Sequence, residues 1–400
     1  MSESVSLPPV TPRAMNLKTL SMFALPLLLL AAVIVLFVAT NGAGLRVEPA
    51  APIESITVER TVLRAQHIEL HIRNTSPQAI TIAAVKINDA FWHFSAEPGA
   101  TVPRLADVTL HVAYPWVHGQ AYSIMLISSN SIAFTVDVPV AAETPAATTD
   151  TLLSFTLIGF YVGVIPVFLG LFWYPALRRL GHRAVMFLMA LTAGLLVYLG
   201  IDATSEALEL ARAVGGPFQG VGLVGIGIVL TILLLDAISR RQASVGRSAA
   251  AQRLALAFMI ALGIGLHNLG EGLAIGASFA VGAATLGTFL VVGFIVQNIT
   301  EGLGILAPIL RDKPPMQSLM AMGLLGGAPA IAGAWVGGLT YSQPLAVLFL
   351  AIGAGAVFEV VYEIAKLIRQ DVAKRPMPLT VFAGVTFGML LLYVTGLLIK

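Results

Sequence analysis

The chain has 400 residues, of which 57% are hydrophobic and 11% charged, and its mean hydropathy is +0.87. A soluble domain needs more polar surface than this, so much of the chain must face lipid. The net charge of +2 comes without a basic stretch, which argues against nucleic acid as a partner. The chain contains no cysteine, which excludes disulfides, thiolate metal sites and cysteine catalysis.

Nine segments are apolar and long enough to cross a bilayer core, which takes about 20 residues as a helix. They are Leu20–Thr40, Leu152–Tyr174, Ala184–Ile201, Phe218–Ile238, Leu254–Val281, Thr285–Leu310, Gln317–Leu339, Pro344–Ile368 and Val381–Leu398. The apolar run from Met22 to Val38 is longer than the core of a signal peptide, so we expect a retained anchor. The pattern predicts a membrane α-helical bundle of eight helices over 151–400, preceded by this anchor over 20–40.

Positive residues indicate the orientation. If all nine segments cross, fifteen of the 23 lysines and arginines share one side. These are Arg13, Lys18, Arg178, Arg179, Arg183, Arg240, Arg241, Arg247, Arg253, Arg311, Lys313, Lys366, Arg369, Lys374 and Arg375. The opposite short loops and the C-terminus hold only Arg212 and Lys400. Because positive loops stay inside, we expect a cell (inner) membrane protein with residues 1–19 in the cytoplasm and residues 41–150 and the C-terminus outside.

The exported stretch 41–140 alternates apolar and polar residues in short runs that are typical of strands. The runs are Ser55–Leu63, Ile68–Arg73, Ile80–Ile87, Val108–Ala113 and Ile132–Val138. We predict a small extracytoplasmic β-sandwich of roughly seven strands, Ig-like or cupredoxin-like. Residues 141–150 are rich in Ala, Thr and Pro and are interpreted as its linker to the bundle.

Two similar polar clusters lie inside the fifth and sixth predicted spans. They read His-Asn-Leu-Gly-Glu-Gly at 267–272 and Gln-Asn-Ile-Thr-Glu-Gly at 297–302. Residues four apart share a helix face, so His267 converges with Glu271, and Gln297 with Glu301. Two carboxylates, an imidazole and amide oxygens suit a borderline divalent cation such as Zn²⁺. Since ionisable groups are costly in hydrocarbon, a metal site is favoured over hydrogen bonds that only hold helices together.

The motif pair resembles the fourth and fifth helices of the ZIP family of divalent-metal transporters, whose pattern is His-Asn-x-Pro-Glu-Gly followed by a related motif ending in Glu-Gly. The resemblance covers the eight-helix block. It implies that His267, Glu271 and Glu301 form a primary site at the membrane midplane, with Asn268 and Asn298 facing an adjoining one. It also implies import of a divalent metal ion (Zn²⁺, or Fe²⁺, Mn²⁺ or Co²⁺) by alternating access.

Some residues depart from the family pattern. The proline before each motif glutamate is replaced by Gly270 and Thr300, and a position that often carries an acid is Asn298. The seventh predicted span, Gln317–Leu339, contains no acid at all. We therefore expect one well-formed metal site and a weakened second one. The oligomeric state stays open, with a homodimer as one option.

Other acids lie in or near the predicted spans. Glu359 and Glu363 share a helix face in the eighth span, where they are interpreted either as pathway ligands or as interfacial groups near Lys366. Asp202 and Glu206 follow the third predicted span on the exported side. They are interpreted as an entrance that attracts cations or, more simply, as a solvated helix end.

The exported domain holds five of the seven histidines. His67, Glu69 and His71 alternate along one predicted strand and so point to the same face. This arrangement suits capture of metal before transfer, although an ordinary polar face is the alternative.

Two other functions were weighed. An intramembrane zinc hydrolase usually needs two or three histidine ligands and an open water position, yet no His-Glu-x-x-His motif occurs and only His182 and His267 lie outside the exported domain. A membrane metal sensor would need a cytoplasmic part to receive the signal, and the internal loops are short. We therefore expect a transporter and no enzymatic activity.

Overall fold

The computed structural model describes residues 17–40, 53–243, 248–280, 284–340, 342–373 and 376–399. Five residues that contributed to the predicted orientation lie outside these ranges: Arg13, Arg247, Lys374, Arg375 and Lys400. The chain divides into one unit over Met1–Ile53 and a second over Glu54–Lys400.

The first unit contains helix α1, Leu17–Ala39, which covers the predicted anchor. Its large apolar side chains from Leu25 to Val38 are all more than half exposed. A row of exposed apolar side chains needs an apolar surrounding, and lipid provides one.

The second unit begins with a small sheet domain, which confirms a sheet domain ahead of the bundle. Its strands are β1 (Ile56–Arg64), β2 (His67–Asn74), β3 (Ile80–Ile87), β4 (Ala90–Trp92), β5 (Phe94–Glu97), β6 (Thr101–Val102), β7 (Asp107–Val112), β8 (Tyr122–Ser128) and β9 (Ala133–Val138). They form two antiparallel sheets, in the orders β1-β2-β7-β5 and β4-β3-β8-β9, with β6 paired to β3. Apolar side chains of both sheets, such as Leu70 and Leu126, share one buried core.

The domain has nine strands where roughly seven were expected, and β4, β5, β6 and β8 lie outside the alternating runs named above. Strand β8 shows why: its inward residues Ile124 and Leu126 alternate with the outward residues Met125 and Ile127, which are also apolar. A half-buried strand is recognised by the alternation of apolar and polar residues. This pattern is absent where both faces of the strand carry apolar residues. The three others have four residues or fewer.

The stretch predicted as a linker is bound to the sheet domain at its start. The Thr144 backbone N–H donates to the carbonyl of Leu63, and the Thr144 hydroxyl accepts from the Leu63 N–H, both at 2.9 Å. Ala141 and Thr144 are buried. Residues 141–144 therefore belong to the sheet domain, ahead of the first bundle helix.

Eleven helices follow among the described residues: α2 (Thr149–Gly159), α3 (Ile165–Phe172), α4 (Tyr174–Leu177), α5 (His182–Ala213), α6 (Gly220–Ala243), α7 (Ala249–Ala280), α8 (Ala284–Leu306), α9 (Met316–Gly327), α10 (Pro329–Leu339), α11 (Gln343–Val372) and α12 (Pro378–Ile399). Seven helical segments, from Thr149–Leu177 to Gln343–Val372, are long and apolar enough to cross a bilayer. The apolar parts of α1 and α12 are shorter. These helices indicate a membrane-embedded multi-pass protein.

Helix α5 runs beyond the predicted end of its span. The third span was expected to end at Ile201, but the helix continues to Ala213. In the extension, Ala203, Ala207 and Ala211 keep a buried stripe at four-residue spacing. Acids on the other faces lower the mean hydropathy and hide this stripe in the sequence.

Two spans are interrupted. A π-helical turn, Phe160–Val164, separates α2 from α3, with Pro166 just beyond it. Ala328 separates α9 from α10, and Pro329 follows at once. Proline lacks the N–H that an α-helix needs and is a common cause of kinks.

The two ends of the bundle contact different groups. At one end, Arg253 forms an ion pair with Asp312 at 2.6 Å, and the Tyr174 hydroxyl donates to the Asp312 carbonyl. These three residues come from segments that were expected on the cytoplasmic side. At the other end, Arg60 of β1 donates to the carbonyl of Leu339, at the end of α10, at 2.7 Å. The sheet domain therefore contacts the end of the bundle opposite the Arg253–Asp312 pair.

Candidate intramembrane metal site

Helix α7 presents His267 and Glu271 on one face, as their four-residue spacing predicts. His267 Nε2 lies 3.2 Å from Glu271 Oε1. Both side chains are buried, with residue exposures of 6% and 4%. An imidazole and a carboxylate thus meet deep inside a helix that is long enough to cross a membrane.

Helix α8 adds the second half of the cluster. Gln297 Nε2 donates to Glu271 Oε1 at 2.5 Å and to Glu301 Oε1 at 3.4 Å. One ligand atom each from His267, Glu271 and Glu301 lies within 4.8 Å of the other two. The two motifs, 26 residues apart between Glu271 and Gln297, therefore converge on one point.

Both motif asparagines are oriented by backbone carbonyls that sequence reasoning missed. Asn268 Nδ2 donates to the carbonyl of Gly326 and Asn298 Nδ2 to that of Val162, each at 2.9 Å. A carbonyl can only accept, so the amide nitrogen must face it. Asn298 Nδ2 also donates to Glu271 Oε2 at 3.1 Å.

These carbonyls are accessible because the helices that carry them are interrupted. In a regular helix the Val162 carbonyl would accept from the N–H four residues later, but that residue is Pro166, which has none. Gly326 lies two residues before the break at Ala328. Pro166 is thus the sequence signal for the Val162 carbonyl, whereas the residue four before Pro329 is Leu325 and not Gly326. A π-helical turn of this kind is frequent at functional sites.

Three buried oxygens at this site hydrogen-bond to no group in the described part of the chain. They are Asn268 Oδ1, Asn298 Oδ1 and Glu301 Oε2. No lysine or arginine of the described ranges forms an ion pair with Glu271 or Glu301. All three oxygens are acceptors, and buried acceptors with two carboxylates call for a positive partner. The donor set fits a divalent cation.

The glycine after each motif glutamate permits close helix packing. A Cβ on Gly272 would lie 2.1 Å from the carbonyl oxygen of Ala330, and one on Gly302 would lie 2.3 Å from that of Val167. The two glycines thus allow α10 and α3 to pack closely against the site helices, as small residues do between membrane helices.

The acids of the eighth predicted span belong to a second cluster. Glu359, only 2% exposed, and Glu363 lie on α11 and offer ligand atoms within 4.8 Å of one from Asp236 on α6. Arg240 pairs with Asp236 and Lys366 with Glu363. The Arg240–Asp236 pair follows from their four-residue spacing, whereas the proximity of Asp236 to Glu359 and Glu363 depends on the packing of α6 on α11 and has no signature in the sequence.

The predicted entrance acids lie on the extension of α5. Asp202 and Glu206 are both exposed. Glu206 is near enough to His267 for an electrostatic interaction, whereas Asp202 is not part of the buried cluster. Glu206 is likewise not part of the described buried cluster of His267, Glu271 and Glu301.

In the sheet domain, the predicted histidine group has a different third member. His67 and Glu69 gather with His111 of β7, not with His71. His71 instead shares a hydrogen bond of 3.1 Å with the hydroxyl of Thr109, and burial lowers its pKa. The reason is the strand register, which pairs Glu69 with His111 and His71 with Thr109 and is invisible in the sequence of β2 alone.

No protein-family model matches this chain. The resemblance to the ZIP family therefore rests on the motif pair at 267–272 and 297–302.

Proposed function

We propose that this protein is a transporter that carries a divalent transition-metal ion, with Zn²⁺ as its leading substrate, through the helical bundle. The proposal rests on the buried cluster of His267, Glu271 and Glu301. Three buried oxygens, Asn268 Oδ1, Asn298 Oδ1 and Glu301 Oε2, hydrogen-bond to no group in the described part of the chain. In an apolar surrounding each unpaired polar group costs several kcal/mol, and a bound cation offsets this cost.

A proton shared between the two carboxylates would satisfy fewer of the buried acceptor groups than a metal ion would. One proton between Glu271 and Glu301 would neutralise one charge. It would leave the amide oxygens of Asn268 and Asn298 without a donor. A metal ion accepts electron pairs from imidazole, carboxylate and amide oxygen together, and this mixture suits Zn²⁺, Fe²⁺, Mn²⁺ or Co²⁺.

The surrounding acids support a pathway. Glu206 is exposed on α5 and interacts with His267. The cluster of Asp236, Glu359 and Glu363 offers a second station on α6 and α11. Several groups of oxygen ligands along one pathway allow an ion to bind strongly enough to enter and weakly enough to leave.

Alternating access is the proposed mechanism, with metal moving to the cytoplasm. The pair α7–α8 would carry the ion and move against the rest of the bundle. The asparagine contacts to Gly326 and Val162 are single hydrogen bonds between helices, so they can break and re-form in discrete steps. The resemblance of the motif pair to the ZIP family favours the same mechanism and direction.

The alternatives make different predictions. A zinc hydrolase is disfavoured because His267 is the one histidine in the described cluster, whereas catalytic zinc usually has two or three. A sensor would bind the ion without moving it. Uptake by the purified protein, without partners, separates a transporter from both.

The experiment is Zn²⁺ uptake into proteoliposomes containing the purified protein. We expect the Glu271→Gln/Glu301→Gln variant to fall to the level of protein-free liposomes, since the substitutions keep the shape of both side chains and remove both charges. The control is Glu143→Gln, an exposed acid ahead of the first bundle helix and outside the described clusters, which should transport like the wild type. Uptake that persists in the double variant would refute the proposal.

A further inference from the structure

The outward face of the sheet β1-β2-β7-β5 carries a compact polar group. His67 and Glu69 lie on β2 and His111 on β7, where it pairs directly with Glu69. The residues between them, such as Ile68 and Leu70, are fully buried in the core. Successive strand residues alternate in direction, so the three polar side chains all point away from the core.

The distance between the two imidazoles matches that of two metal ligands. His67 Nε2 lies 3.3 Å from His111 Nδ1. Two nitrogens bound about 2.0–2.1 Å from a tetrahedral Zn²⁺ are roughly 3.3–3.4 Å apart. The carboxylate of Glu69 offers an oxygen within 4.8 Å of a nitrogen of both histidines.

The second nitrogen of His111 has the environment that metal-bound histidines usually have. His111 Nε2 lies 3.8 Å from Glu97 Oε2 on the neighbouring strand β5. A carboxylate behind the non-ligating nitrogen fixes the ring and raises its basicity, which is common around zinc. His111 can therefore bind a metal through Nδ1, and Glu97 lies near Nε2 at a distance longer than a hydrogen bond.

Glu69 is available as the third ligand. It forms no hydrogen bond or ion pair with another residue in the described ranges. The two arginines of the adjacent strand are engaged elsewhere: Arg60 donates to the Leu339 carbonyl and Arg64 to the Thr144 carbonyl. Arg60 is also near enough to Glu69 for an electrostatic interaction, but the two form no ion pair among the described contacts.

We propose that His67, Glu69 and His111 form a second metal site, for Zn²⁺ or a similar borderline divalent cation, with the fourth position open to solvent. The site lies on the face of the sheet domain that contacts the bundle, because Arg60 reaches Leu339 from the same face. It is independent of the transport proposal. A sheet-domain site binds metal whether or not the bundle moves it.

The test counts zinc bound by the full-length protein, purified in detergent and stripped of metal. The starting variant is Glu271→Gln/Glu301→Gln, which removes the proposed bundle site, and equilibrium dialysis gives zinc per chain. In addition to any Zn²⁺ held by Asp236, Glu359 and Glu363, we expect one Zn²⁺ per chain at the sheet domain. His67→Ala and His111→Ala should each weaken its binding by at least about tenfold, since even outer-shell partners are worth that much.

Two control variants make the result specific. His71→Ala removes the histidine that the register directs to Thr109, and His118→Ala removes an exposed one outside the described group. Both should keep the bound zinc. Metal-free thermal unfolding checks that each variant is folded.

A second readout uses the protein with an intact bundle site. With Co²⁺ as the probe, a tetrahedral site of nitrogen and oxygen ligands gives an intense visible absorption. This signal should diminish in His67→Ala and persist in His118→Ala. Equal zinc binding in His67→Ala, His111→Ala and the starting variant, or loss of zinc in His71→Ala alone, would overturn the proposal.

Discussion

Asn268 and Asn298 show how single residues shape the candidate bundle site. Each amide nitrogen donates to one backbone carbonyl, and each amide oxygen is buried without a donor in the described part of the chain. The spacing of the motifs predicted that these residues share the region of the site. It did not predict their orientation, because this depends on carbonyls of two other helices.

The substitution Asn298→Asp tests this orientation. It removes the donor to Val162 and Glu271 and places a third carboxylate beside two others. We expect the metal-free variant to lose about 1–3 kcal/mol of unfolding free energy, the cost of leaving buried acceptors unpaired. Added Zn²⁺ should recover part of this loss because a carboxylate is a stronger ligand than an amide. Thermal unfolding with and without Zn²⁺ measures both effects.

Asn130→Asp is the matched control, since this exposed asparagine lies in a loop of the sheet domain. It should change the midpoint little. A metal-free Asn298→Asp protein as stable as the wild type would contradict the hydrogen-bond assignment.

The residues of the site differ in how far the sequence could predict their contacts. His267 with Glu271 followed from helical spacing, because that contact is local. The proximity of His67 and Glu69 to His111 could not be predicted in this way, since it depends on which strand pairs with β2 and in what register. Local contacts can be read from spacing, whereas cross-strand contacts need the fold.

Among the elements, the interrupted helices distinguish the site from an ordinary helix contact. The seven described helical segments that are long and apolar enough to cross a membrane each overlap a predicted span, because hydropathy reports burial in lipid directly. The π-helical turn before Pro166 and the break before Pro329 were not predicted, although proline marked both places. The site is therefore built from two regular helices, α7 and α8, and two irregular ones.

Close packing of these elements is testable at Gly302. An alanine there would place its Cβ 2.3 Å from the Val167 carbonyl, and the backbone cannot yield without moving α3. We expect Gly302→Ala to lower the unfolding free energy by about 1–3 kcal/mol, as overpacking does. Gly225→Ala is the control, because its Cβ on α6 would meet nothing within 4 Å and alanine favours helix. Similar midpoints for both variants would refute the packing argument.

At the scale of the whole molecule, the two ends of the bundle contact different partners. The sheet domain reaches the end of α10 through Arg60, while the Arg253–Asp312 pair joins helices at the opposite end. The charge pattern of the loops predicts that the sheet domain is outside the cell and that the Arg253 end is in the cytoplasm.

The natural absence of cysteine makes this orientation easy to measure. We expect His118→Cys in the sheet domain to react with a membrane-impermeant maleimide in intact cells. Leu180→Cys, 39% exposed between α4 and α5, should react only after the membrane is opened. The reverse pattern of labelling would contradict the predicted orientation, and the unmodified protein serves as the unlabelled control.

The most direct test of the central claim is uptake by proteoliposomes across a panel of metals, with and without His267. An imidazole among oxygen ligands favours borderline transition metals over Mg²⁺ and Ca²⁺, which prefer oxygen alone. We predict uptake of Zn²⁺ and at least one of Fe²⁺, Mn²⁺ or Co²⁺, none of Mg²⁺ or Ca²⁺, and a loss of at least about tenfold in His267→Ala. His182→Ala, outside the site on the surface of α5, should transport normally. Equal uptake of Mg²⁺ and Zn²⁺, or full activity in His267→Ala, would contradict the account.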